Sequence, residues 1–146
     1  MAHDFKQVMF TMFEQLQRNA VYLAYQPAAE PVAVGRNKIG GRPDLPADFV
    51  WPYYEGKGYL DETPVNRPLT FMAQINLAEA AEFDKENLLP KTGLLTFFYE
   101  LHTEKWGFDP ADKGCARVYY FADTSVLMRC EFPADLEAEY QLPEFA

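Results

Sequence analysis

Between residues 37 and 68 glycine and proline interrupt the chain so often that no long element can run through it. Gly40, Gly41, Pro43, Pro46, Pro52, Gly56, Gly58, Pro64 and Pro68 all fall there. Proline fixes φ, removes a backbone donor and drives the preceding residue to extended geometry, while glycine admits positive φ and close backbone approach. Only brief strands and turns are compatible with that spacing. A loop of this length inside a domain is held by its own side chains or serves a function. Trp51, Tyr53, Tyr54 and Tyr59 supply bulk, so the expectation is an ordered loop plugged onto the fold by Trp51, with a softer tip over residues 55–63.

On either side the pattern changes. Phe5, Val8, Met9, Met12, Phe13 and Leu16 recur at three- and four-residue steps, which predicts an amphipathic helix over residues 5–18 that packs on a sheet. Asp4 stands at its cap position, with Gln7 three residues on. Two short β-prone runs follow at residues 21–25 and 32–34. Residues 69–75 alternate as a strand, and Asn76 offers a cap for a short helix near residues 77–83. Residues 94–101 are apolar on both faces and predict a central strand covered on both sides. A polar loop with Trp106 leads to strands over residues 116–121 and, more weakly, 127–132. From Glu131 onward there are five acidic residues and no basic one, which predicts a poorly anchored end. The fold class is therefore α+β: a single domain over residues 1–146, a mainly antiparallel sheet, one N-terminal amphipathic helix and long irregular loops.

Charge is distributed unevenly. The net charge is -9 over 146 residues, of which residues 1–75 carry -1 and residues 76–146 carry -8. That field repels phosphate backbones and anionic lipid, so neither nucleic acid nor membrane is an expected partner. A basic protein partner facing the acidic second half is the expectation. No apolar run approaches the ~20 residues of a membrane-spanning helix, and the first residues lack a basic signal region. Cys115 and Cys130 have no metal-ligand spacing and are expected as free thiols in a reducing cytoplasm.

Three blocks carry a resemblance: Lys38-Ile-Gly-Gly-Arg-Pro-Asp-Leu-Pro46 followed by Trp51-Pro52; Pro68-Leu-Thr-Phe-Met-Ala-Gln-Ile-Asn76; and Leu89-Pro-Lys-Thr-Gly-Leu-Leu-Thr-Phe-Phe98. In order and spacing they resemble the N-terminal portion of the YwqG-like family, a bacterial α+β family of unassigned biochemical function. The resemblance implies further strands beyond this chain's length. The expectation is a short member or a piece of a longer protein, with a sheet edge left open for self-association.

Candidate chemistry centres on the Gly-Pro loop. Arg36, Lys38 and Arg42 bracket Gly40 and Gly41, and backbone N–H groups beside three cations suit a small anion. Gln74 and Asn76 leave one face of their strand together, either to hydrogen-bond that loop or, with Trp51, to floor a ligand pocket beneath it. His102 is the one plausible histidine base, since His3 lies near the terminus, and no nucleophile elbow occurs. No catalytic residue, metal or cofactor is implied. Two readings stand: a non-catalytic protein-interaction or binding domain, and a small-anion or small-molecule site at Gly40 and Gly41.

Overall fold

A computed structural model of the chain describes residues 2–58, 61–103 and 105–146, with side chains from Phe5 onward. The expectations placed on Tyr59 and on the side chains of His3 and Asp4 lie outside the described residues. In chain order the elements are helix α1 (Ala2–Leu16), strands β1 (Lys38–Ile39), β2 (Asp44–Pro46), β3 (Tyr53–Gly56), β4 (Val65–Pro68) and β5 (Thr70–Asn76), helix α2 (Leu77–Ala80), and strands β6 (Leu94–Tyr99), β7 (Ala116–Phe121) and β8 (Leu127–Arg129). The fold is α+β, and every pairing is antiparallel. The main sheet has the order β1-β5-β6-β7; β2 pairs with β8, and β3 with β4.

Brief strands are all that the Gly-Pro stretch forms, as its punctuation requires. Asn76 caps α2, its side chain accepting from the Ala78 and Glu79 N–H groups. Strand β5 departs from strict alternation. A bulge at Met72, between Phe71 and Ala73, puts Phe71 on the same face as Gln74 and Asn76. The Met72 carbonyl accepts from Gly40 N–H at 2.8 Å, one step beyond the Ile39–Ala73 pair of β1 and β5.

The first face of the main sheet is covered. Phe71, Gln74, Leu94, Thr96 and Phe98 are all buried there, beneath the Gly-Pro loop. Phe49 stacks on Phe98 at 5.9 Å and meets Tyr119 edge-on at 5.0 Å and Phe121 at 5.8 Å. Trp51 meets Phe98 at 5.1 Å and donates its indole N–H to the Leu69 carbonyl at 2.9 Å. Leu45, Leu69 and Cys115 complete this core.

Four expectations are corrected. Strand β6 is central but not covered equally: Leu94, Thr96 and Phe98 are buried, whereas Leu95, Phe97 and Tyr99 are only half-buried. Helix α1 forms, beginning ahead of Asp4, but it does not bury its stripe; Phe5 is 68% exposed, Phe13 58% and Leu16 68%. Amphipathic periodicity specifies a helix and an apolar face, and says nothing of where that face docks. The C-terminal end is anchored. Phe145 bridges to Pro27 and Ile39, Leu136 is buried, and Glu144 joins a buried ionic cluster. The cations that hold this acidic segment come from elsewhere in the chain. The runs at 21–25 and 32–34 form no strand; residues 17–26 cross the second face of the sheet as an extended strap, closed by reciprocal Gln26–Ala146 backbone bonds of 3.0 Å.

Candidate functional site

Around Gly40 and Gly41 the chain doubles back under its own C-terminal segment. Both glycines have positive φ, 64° and 66°, and a Cβ on Gly40 would overlap the Pro143 carbonyl. Their N–H groups are committed to Met72 O at 2.8 Å and Leu142 O at 2.9 Å. Each of the three bracketing cations meets a carboxylate. Arg36 pairs with Glu79 at 3.1 Å, and Arg42 pairs with Glu131. Lys38 is fully buried, 3.5 Å from Asp44 and 3.4 Å from Glu144, and donates to Arg42 O at 2.5 Å.

Asp44 is the hub of this cluster. It accepts from Arg129 Nε at 2.6 Å, Gln74 Nε2 at 2.6 Å and Gly35 N–H at 2.9 Å. Burial alone would raise its carboxyl, but the bonds from Arg129, Gln74 and Gly35, with the charge of Lys38, outweigh it and hold the group below the usual aspartate range. Burial is the largest influence on Lys38 and leaves it below the ordinary lysine value despite Asp44. Gln74 also donates to Arg36 O at 2.8 Å and accepts from Asp44 N–H at 3.0 Å. Asn76 donates to Gly35 O at 2.8 Å and, through its own N–H, to Asn37 Oδ1 at 2.6 Å. The structure thus brings Arg36, Lys38, Gly40, Gly41, Gln74 and Asn76 together, while Trp51 engages Leu69, Phe98 and Phe132. Asp44, Arg129 and Glu144, which complete the clasp, carried no sequence signal.

His102 sits at the other end of β6 and meets a phenol, Tyr140 Oη, at 2.8 Å from Nδ1. Buried Glu100 accepts the His102 N–H at 3.0 Å and the Thr103 N–H at 2.8 Å. The cavity between them and Arg67 has about 20 Å³, room for one water. Burial pushes both the Cys115 and Cys130 thiols up, so neither is a thiolate at neutral pH.

The second face of the main sheet has a different character. By register, Ile39, Ile75, Leu95, Phe97, Val118 and Tyr120 project there as one apolar strip across all four strands. Val118 is 58% exposed and Tyr120 44%. Under the strap lies an open, mostly apolar cavity of about 390 Å³, bounded by Leu23 and Tyr25 above, Ile75 and Phe97 below, and Phe83 and Phe145 at its ends. Strand β7 ends the sheet order and, among the described residues, has only β6 as a neighbour. No helix among the described residues is long and apolar enough to cross a membrane.

A model of the family described as a domain of unknown function (DUF1963) matches residues 37–145. That span holds all eight strands and excludes α1 and the strap. No curated protein matches the chain.

Proposed function

The chain belongs to the DUF1963 family, and from that premise, which carries no activity with it, we propose that it is a non-catalytic interaction domain presenting the second face of its main sheet to a protein partner. One observation carries the proposal: the strip from Ile39 to Tyr120 is apolar on every strand, half-buried at β6 and exposed at β7. Contiguous apolar surface of that kind on a folded domain marks interaction sites, and aromatic enrichment is typical of interface cores. The Gly-Pro loop supports the same reading by contrast. Its cations face carboxylates and its glycine N–H groups face carbonyls, an arrangement that holds a fold together. Within the family we assign the chain to its YwqG-like members, because the three blocks from Lys38 to Phe98 lie inside the matched span. Free thiols at Cys115 and Cys130 support a reducing cytoplasmic setting.

Affinity capture from the source cell, run in parallel with the wild type, Val118→Glu and the charge-reversed Glu131→Lys/Glu137→Lys, tests the reading. Partners retained by the charge-reversed protein and lost by Val118→Glu support it. Partners with the opposite dependence point to the acidic surface and a basic partner instead. Identical captures with all three proteins reject the sheet face as the working surface.

A further inference from the structure

We infer that two copies of this chain associate by exchanging their N-terminal helices, α1 of each lying on the open sheet face of the other. The inference rests on the reading of that face as an interaction surface and names its occupant. The two unpartnered apolar surfaces of the molecule match. Phe5, Val8, Met12, Phe13 and Leu16 form one stripe on α1, each at least half exposed, and Val118 and Tyr120 form the exposed end of the sheet's apolar strip, continuous with half-buried Leu95 and Phe97 at the cavity under the strap. The lengths agree as well: a 15-residue helix spans about 22 Å at 1.5 Å per residue, and the six residues of β7 span about 20 Å at 3.3–3.4 Å per residue.

Exchange, not closure onto the same copy, follows from the joint. Asn19 is already fixed to α2's end of the sheet, its Nδ2 donating to Phe83 O at 2.9 Å. Only Gln17 and Arg18 separate it from the helix. Arg18 Nη1 donates to Gln15 O and Gln17 O, both at 3.0 Å, which caps the last turn of the helix. A two-residue joint leaves little chain for a reversal, and short hinges favour exchange between copies. Aromatic side chains bury up to about 150–250 Å² each, so two such contacts, counting both surfaces and partly buried rings, remove on the order of 1,000–2,000 Å², near the size of a standard specific interface. The helix also lies outside the span matched by the family.

Sedimentation of the full chain across nanomolar to hundred-micromolar concentrations gives the first measurement, with a doubled mass expected at the upper end. The variants Phe5→Glu/Phe13→Glu, with a spoiled helix, and Val118→Glu, with a spoiled face, alter exposed residues, and circular dichroism checks that each keeps its fold. Each alone is expected to weaken dimerisation at least tenfold. Mixed in equal amounts, they should recover a heterodimer, since the intact helix of one fits the intact face of the other. A wild type that stays monomeric overturns the inference. So does a dimer indifferent to the helix variant, which would signal pairing of β7 edges, or a mixture without recovery. A monomeric wild type that still captures a partner through Val118 removes the exchange and leaves the proposed function standing.

Discussion

Asp44 gathers three donors and the charge of Lys38 at a fully buried carboxylate, and the consequences of that arrangement are measurable one side chain at a time. Removing one member of a buried ion cluster leaves the others charged and unpaired, which costs about 3–5 kcal/mol. Asp44→Asn is therefore expected to lower unfolding free energy by about that amount in urea titration. The control is Glu131→Gln: its pair with Arg42 joins side chains 77% and 48% exposed, and its loss should cost no more than about 1 kcal/mol. Sequence reading reached half of this site. Gln74 and Asn76 were legible as a polar pair on an apolar strand, and the two glycines as a place of close approach. Asp44, Arg129 and Glu144 were not, because 85 residues separate Asp44 from Arg129 and 106 separate Lys38 from Glu144. Local pattern carries no information about charges meeting across such distances, and the three cations looked free because their partners were out of view.

At the scale of elements, the Gly-Pro loop behaves as a cover held on by aromatic side chains. Phe49 contacts three rings of β6 and β7, and truncating a buried aromatic costs about 3–5 kcal/mol, less where it is partly exposed. Phe49→Ala is expected to cost about 3 kcal/mol and to raise binding of a hydrophobic dye, both read in one denaturation series. The brevity of β1 to β4 and the plugging role of Trp51 could be read from proline, glycine and tryptophan positions alone. The bulge at Met72 could not, since nothing in Leu69-Thr-Phe-Met-Ala-Gln-Ile75 distinguishes a slipped register from strict alternation. Helix α1 illustrates the complementary limit: its period is plain in the sequence, whereas its docking depends on a surface that the period does not describe.

Across the whole molecule acid has two opposed effects: it relieves the self-repulsion of a net charge of -9 and it removes hydrogen-bonded carboxylates. The carboxyls of Asp44, Asp61, Asp84 and Asp123 all lie below the ordinary aspartate value. Hydrogen bonds dominate at the last three, from Arg67 to Asp61, from the Leu89 N–H to Asp84 and from Ser125 to Asp123. A depressed folded pKa means that the unfolded chain takes up protons first. The stability these groups contribute is therefore complete above the unfolded aspartate pKa of about 3.9 and is lost as pH falls towards the folded values. Thermal unfolding should show a nearly constant midpoint from pH 7 to 5 and a steep decline below about pH 4. A midpoint that rises on acidification would mean that self-repulsion of the acidic half outweighs these bonds. The α+β class was legible at this scale because alternation, capping and punctuation all report on local geometry. Sheet order and the open second face were not, since both depend on which segments meet.

The bridge between Ile39 and Phe145 also sets a schedule for synthesis. A ribosome adding about 5–20 residues per second takes roughly 5–20 seconds to travel from one partner to the other. Throughout that interval Lys38 and the Gly40 turn exist without the residues that close over them. The nascent domain can assemble β5 and β6 early, but its first-made loop is fastened last, after residues 142–146 have emerged from the exit tunnel. Until then the chain offers its apolar strands to whatever chaperone waits at the tunnel mouth.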